Sequence, residues 1–515
     1  MSNGCTGDYR NAGCERAGVL LVAVVMFGLL FALPLARATE AAPDKDPRAF
    51  SGTAAAQGRA TATPAGATVD EVVESLVAEA LGANLELEAS NAVVARRLAA
   101  LDEARARYYP ALDLAARYSR ADGGRTIQFP VGDLLNPVYA TLNQLTGQSR
   151  FPAIANEEIE FLRPREQDTK VTLTQPLYDA RLGAGYDAAR AERDAGYAAR
   201  EALRGRLARD VRQGYYRWLQ ARAQTEILDA TLELARENLR VNESLFRNGR
   251  ITRDLVFRAE ADVLEVEQSR LAAGNGVRLA QSYVNLLRHA PFDRALPVAT
   301  VVDPDVARLR DALAARAREP SLALARLQDV AVERRAELRQ LDAAGEGARA
   351  AERLARSAFR PQLALAVDAG SQGAGYGGFE DGSYVLASVV LRFNLFAGGG
   401  DRARVRGARA LQGEVRANRA FAEQRVRLEV QDALSNLEVA QASLDTAAKR
   451  VEAASGAFRI ASRKRDLGQI NQAEYVDARR VLTDSQLNLN VTRFEALDAL
   501  AQLEYALGYA DRPAP

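Results

Sequence analysis

The residues that carry most covalent, redox and thiolate chemistry are nearly missing from this chain. Its 515 residues include one histidine, His289, and two cysteines, Cys5 and Cys14, both ahead of the first apolar run. With residues 1–38 read as a removable signal, the rest has no cysteine. That excludes disulfides, thiolate metal sites, Cys–His catalysis and a lipid-acceptor cysteine behind the signal. A histidine triad would hang on His289 alone, in a proline-bearing stretch after a helix, where a structural helix-end role is expected. An excess of one charge is also missing: 68 Lys and Arg face 67 Asp and Glu, so the balance gives no reason to expect nucleic acid as a partner. After residue 38 no apolar run reaches the roughly 18 residues of a membrane helix. Gly398-Gly399-Gly400 lacks the Lys-Ser/Thr of a phosphate loop and reads as a corner where strand bends into helix. No metal, cofactor or catalytic residues are assigned.

What is present begins with an export signal. Arg10 and Arg16 precede an apolar core from Ala17 to Leu35, and Ala36-Arg37-Ala38 is a small-x-small cleavage site. An uncleaved anchor is the alternative, but Pro34 and the cleavage site end the run. Residues 39–67, rich in Ala, Gly, Pro and Thr without periodicity, read as a disordered linker.

The remainder states one pattern twice. Ala104-Arg105 leads to Pro110, Leu112 and Leu114; Ala355-Arg356 leads to Pro361, Leu363 and Leu365. The first repeat, 68–288, has a helical pattern from the capping box at Thr68-Val69-Asp70-Glu71 to about residue 107. Strands follow at about 109–119 and 169–178, then long helices at 179–247 and 255–288. The second, 321–508, has strands at about 361–370 and 384–396 and helices at 400–466 and 473–507. A proline-bearing connection, 289–320, joins the two, and 509–515 is a tail. The strands alternate: Leu112, Leu114, Ala116 and Tyr118 oppose Asp113, Arg117 and Ser119, and Leu363, Leu365 and Val367 oppose Gln362 and Asp368. Strands of about ten residues with one apolar and one polar face suit an outer-membrane barrel, although any one of them would also suit a soluble sheet. A helix of nearly 70 residues is about 100 Å long, too polar to cross a bilayer, and has to pack against others in water. Four strands cannot close a barrel, so the chain is expected to assemble with copies of itself.

In the order and spacing of these motifs the chain resembles the TolC-type outer membrane factor family over residues 68–509. The motifs are the Ala104–Leu114 approach to the first strand and its repeat at Pro361-x-Leu363-x-Leu365, together with Leu395-Phe396-Ala397-Gly398-Gly399. The turn Gly468-x-Ile470-x3-Glu474-x2-Asp477-Ala478 and the ending Tyr505-Ala506-Leu507-Gly508 complete the set. The resemblance implies a mainly α fold with a membrane β-barrel: a homotrimer whose duplicated helix-strand-strand-long-helix unit builds one twelve-stranded barrel, continued by a periplasmic α-helical barrel. It implies an exit duct of a tripartite efflux pump or type I secretion system, passive, in the outer membrane. The implied partners are outer-membrane lipid, a periplasmic adaptor and, through that adaptor, an inner-membrane transporter; nucleic acid is not among them. The loops 120–168 and 371–383 would face outside, the first either capping the mouth or lying as a passive surface loop. Residues 289–320 and 509–515 resemble the family's equatorial belt.

The same resemblance points to the turns at the far end of the long helices. Glu474 and Asp477, three apart on one helix face, would stack two rings of carboxylates across the pore of a trimer. In the family the matching acidic positions line a closed periplasmic aperture; otherwise these are two solvated carboxylates. The basic residue of one family pattern is here Ile470, so the salt links of that pattern are not expected. Gly249, Ile251 and Asp254 in the first turn, with Gly468 and Ile470 in the second, would contact the adaptor. Two rivals stand beside this reading. A soluble periplasmic coiled-coil adaptor or scaffold leaves the apolar strand faces without a role, and an exported enzyme lacks convergent catalytic groups.

Overall fold

In a computed structural model the described residues are 68–299, 320–374 and 382–509, all within one unit. The signal at 1–38, the linker at 39–67, most of the 289–320 connection and of the 509–515 tail, and the middle of the 371–383 loop lie outside them.

The first half runs α1 (Val69–Ala83), α2 (Leu85–Ala106), β1 (Ala111–Arg120), β2 (Thr126–Phe129), α3 (Val131–Thr146), β3 (Glu157–Glu160), β4 (Arg165–Asp179), α4 (Ala180–Arg247) and α5 (Arg253–Leu287). The second runs α6 (Pro320–Arg334), α7 (Ala336–Arg356), β5 (Gln362–Gly373), β6 (Ser383–Arg392), α8 (Gly400–Asp466) and α9 (Gln472–Ala506). Among the described residues no helix is long and apolar enough to cross a membrane.

The single helical pattern read from 68 to about 107 is two helices. Thr68 starts α1 through a reciprocal capping box with Glu71. Asn84 then turns extended, caps α2 by accepting from Leu87 N–H, and donates its side-chain amide to the carbonyl of Leu287 at 2.8 Å. The second repeat uses Arg335 in the same place: extended backbone between α6 and α7, and a guanidinium donating to the Ala506 carbonyl at 3.4 Å. Leu287 and Ala506 are the last residues of α5 and α9. Each break therefore satisfies an orphan carbonyl at the end of its own repeat's closing helix.

The main sheet is antiparallel in the order β1-β4-β5-β6, so the two repeats meet at β4–β5. Register aligns Leu112, Leu173, Val367 and Ala387 across it, and Leu114, Val171, Ala369 and Val385 in the next row. Rows between them carry Asp113, Thr172 and Asp368, then Lys170 with its neighbours; Thr172 donates to Asp368 at 2.5 Å, and Lys170 lies 4.0 Å from the same carboxylate. Over these rows one sheet face is apolar, and the other carries the charged residues of β1, β4 and β5, with Tyr384 and Leu386 completing it on β6. β6 stops at Arg392, short of the expected 396, because Gln362 is its last partner and Pro361 before it has no N–H to offer. Antiparallel pairing puts the starts of β1 and β5 level with the ends of β4 and β6, so every long helix leaves from the same end. The opposite end carries the loop after β1, which folds into α3 and the two-stranded β2–β3 ladder.

α4 packs on α5, α7, α2, α9 and α1, and α8 packs on α9, α7 and α6. One core gathers Val72, Val73 and Leu76 of α1 with Val211, Tyr215 and Trp218 of α4 and Phe494 of α9. Its counterpart joins Leu338 of α7, Val430 and Leu437 of α8 and Leu503 of α9. Tyr215 donates to the Pro297 carbonyl at 2.8 Å and accepts from Ala299 N–H at 3.1 Å, which ties residues 297–299 to α4; burial pushes its phenol up to about 12. Arg335, buried, binds Glu337 at 3.0 Å and Glu429 at 3.0 Å and lies over the Tyr505 ring. Burial opposes the charge on Glu337, but Arg335 beside it outweighs burial and holds the carboxyl below its ordinary range.

The closing helices end alike, each in a Schellman turn whose C′ residue is left-handed: His289 (φ 52°) after α5 and Gly508 (φ 82°) after α9. His289→Gly is expected to raise thermal stability by about 1 kcal/mol, because it removes a side chain from the left-handed region. Gly508→Ala is expected to lower stability by more than that, since a Cβ there meets the Cβ of Arg334 at 3.0 Å. Glu337→Gln is expected to lower the melting temperature at neutral pH. A carboxyl held below its ordinary value of 4.5 adds stability above that value and loses it as pH falls through the folded one, so melts of parent and variant should converge on acidification.

Candidate helix-turn site

Both far turns follow from a local rule. α4 ends at Arg247 and Gly249 adopts φ 68°, so Arg250 N–H reaches the Leu245 carbonyl at 2.9 Å and Gly249 N–H the Phe246 carbonyl at 2.9 Å. α8 ends at Asp466 and Gly468 adopts the same φ of 68°, with Gln469 N–H bonded to Lys464 at 2.8 Å and Gly468 N–H to Arg465 at 2.9 Å. Only glycine takes that backbone without strain, which is why both turns carry one.

Ile251 and Ile470 are half-buried behind these glycines. Asp254 is exposed in the first turn of α5, bonded to the Thr252 hydroxyl and 4.0 Å from Arg258. Glu474 and Asp477 are both exposed on α9. Glu474 also starts the helix, because its N–H donates to the Asn471 side chain at 2.9 Å and its carboxylate accepts from the Asn471 amide at 2.9 Å. Tyr475 between them is buried against Phe458, with the Arg465 guanidinium 4.1 Å over its ring.

The two turns are not level. The Thr231 and Thr483 hydroxyls meet at 3.1 Å, and from there α4 runs on to Arg247 while α9 reaches back only to Gln472, so the first turn reaches beyond the second by roughly 7 Å. Asp254 and Glu474 each bond within their own turn, to Thr252 and Asn471.

A set of polar residues that sequence reasoning missed joins the repeats just behind the turns. Arg479 of α9, buried at 4%, donates to Asp262 of α5 at 2.5 Å. Arg480 meets Glu265 at 3.0 Å, and the hydroxyls of Thr231 and Thr483 are 3.1 Å apart. The buried pair is only partly satisfied: Arg479 Nε and Nη1, Asp262 Oδ2 and the amides of Asn238 and Asn242 have no partner. The available signal was an arginine four residues after buried Tyr475, on the stripe that helical period assigns to the interior.

Among the described residues no group of His, Cys, Asp and Glu is arranged to hold a metal. What the arrangement can do is mechanical: two helix pairs, each tightly turned, meet across a buried and under-satisfied ion pair. Asp262→Ala, which leaves Arg479 buried and unpaired, is expected to cost about 3 kcal/mol in thermal unfolding, and Asp262→Leu with Arg479→Leu is expected to recover most of it.

The family model of the outer membrane efflux proteins matches residues 76–288 and 327–509. No curated protein matches the chain. Among solved structures, the chain is similar to the VceC outer membrane protein of Vibrio cholerae, with 19% identity, 85% of this chain and 96% of that one covered, and a TM-score of 0.67. It is similar to the CmeC outer membrane channel of Campylobacter jejuni, with 15% identity, 90% and 91% covered, and a TM-score of 0.69. The MtrE outer membrane channel of Neisseria gonorrhoeae, solved in its open state, gives 18% identity, 85% and 89% covered, and a TM-score of 0.67. With both repeats matched in order by the family model, this chain belongs to the outer membrane efflux protein family.

Proposed function

We propose that three copies of this chain form the outer-membrane exit duct of a tripartite efflux pump or type I secretion system. The carrying observation is a four-stranded sheet with one apolar and one charged face, two unpaired edges, and every long helix leaving from one end. In lipid those edges need partners; three copies supply twelve strands, each β1 edge facing the β6 edge of a neighbour. The charged face, with Lys170, Asp113 and Asp368, would line the water-filled passage, and the long helices would continue it through the periplasm.

Movement through such a duct is passive, with energy supplied by an inner-membrane transporter reached through a periplasmic adaptor. The adaptor would seat on the projecting first turn, Gly249, Ile251 and Asp254, and beside it Gly468 and Ile470. Glu474 and Asp477 would form the narrowest acidic rings. Opening would swing α8 and α9 away from α4 and α5, against Arg479–Asp262 and Arg480–Glu265, as packed helices shear between two arrangements. Membership of the outer membrane efflux protein family sets aside the soluble periplasmic adaptor considered from the sequence.

The test is ion conductance of the purified protein in a planar bilayer. Discrete steps are expected, with Glu474→Ala/Asp477→Ala weakening cation preference while assembly is retained. Unchanged selectivity in the double variant would remove the aperture assignment, and a water-soluble particle without conductance would remove the duct.

A further inference from the structure

At the sheet end remote from the long helices, α3 is built inside out. Its polar face is the one that packs. Asn136 accepts from Ile154 N–H at 2.8 Å and donates to the Ile154 carbonyl at 2.9 Å. Asn143 treats Phe151 the same way, at 3.0 and 2.8 Å. Asn156 pairs with Asp133, accepting from its N–H at 3.1 Å and donating to its carboxylate at 3.0 Å. Gly132 lies so close to the Ile154 carbonyl that a Cβ would sit 2.3 Å away. Each asparagine thus supplies a strand-like pair of bonds, and helix and return segment form one unit.

Flanking that packed side, about a third of a turn around the helix, run Val131, Leu135, Val138, Leu142 and Leu145, spaced four, three, four and three, which is a heptad seam. Leu134 lies beside it. Among the described residues this face is only partly covered by its own chain: Leu135 and Leu142 keep 37% and 36% of their surface exposed, Val138 52% and Leu145 78%, and Leu134 on the border 70%. Two observations indicate what covers the rest. α3 hangs from β1, the edge strand of the sheet, so it emerges at the border a neighbouring copy has to meet. Its only charged residue is Asp133, whereas helices that lie on lipid carry Lys and Arg towards anionic headgroups.

We infer that the seam is covered by the same seam of neighbouring copies, three α3 helices packing over the outer mouth and narrowing it. This rests on the trimeric duct proposed above.

Because the described residues contain no cysteine, the full chain with Leu142→Cys can be oxidised in isolated outer membranes. About two chains in three are expected as disulfide-linked dimers, since the third copy is left without a partner, and Gln144→Cys on the far side should link few. Leu135→Ser with Leu142→Ser should raise single-channel conductance severalfold. A trimer-sized detergent particle whose Leu142→Cys stays unlinked, or whose serine variant conducts like the parent, would overturn the cap and leave the duct standing. An unlinked cysteine shielded from a membrane-impermeant maleimide would assign the face to lipid or a foreign partner, again against the cap. Absence of any trimer-sized particle would instead sink the duct, and the cap with it.

Discussion

A backbone amide in hydrocarbon has no water to turn to, and this sheet leaves one row of such groups along β1 and another along β6. The rest of the proposed architecture depends on satisfying those two rows. An edge in water can be shielded with charge or a bulge. An edge in lipid has to be paired. The sheet's other properties suit that demand: the apolar rows through Leu112 and Leu114 run unbroken across all four strands, and on that face charge appears only at the outer end, where Arg120 pairs with Arg165.

Duplication solves local problems twice with different residues. The break between the opening helices caps the end of the closing helix with Asn84 in one repeat and with Arg335 in the other. The choice has consequences, because the longer arginine also gathers Glu337, Glu429 and the Tyr505 ring into a buried ionic cluster that the asparagine cannot form. The left-handed residue after the closing helix is His289 in one repeat and Gly508 in the other, and Arg334 approaches closely only at the glycine. The two far turns, by contrast, share the same glycine geometry and differ in reach.

The contrast between packing around the middle of α4 and packing behind the turns bears on mechanism. Around Tyr215 and Trp218 the helices meet through large apolar side chains and a satisfied phenol. Behind the turns they meet through Arg479, Asp262, Asn238 and Asn242, several of whose polar atoms lack partners. Trp218 Nε1 in the apolar core also lacks a partner, so the difference between the two regions lies in how much apolar surface each buries.

Period-two alternation, the helical stripes, the doubled motifs and the turn glycines are all local properties. They were legible because each depends only on residues within a few positions of one another, and together they were enough for the mixed architecture and for placing both turns. Tertiary structure decided what depends on distant partners. Asn84 reads as an ordinary helix residue until the Leu287 carbonyl, far along the chain, is there to receive its amide. β6 stops at Arg392 because β5 opposite it begins only at Gln362, after Pro361, which has no N–H to donate. Arg479 falls on an interior stripe by helical period, but its partner, Asp262 of the other repeat, came opposite only in the folded chain. The apolar side of α3 faces outward because three asparagine side chains found backbone partners, or Asp133, in the returning loop. Sequence determined which elements form, through short-range sterics and periodicity; only the folded chain determined which of their faces meet, because that choice is made by pairing between residues the sequence keeps apart.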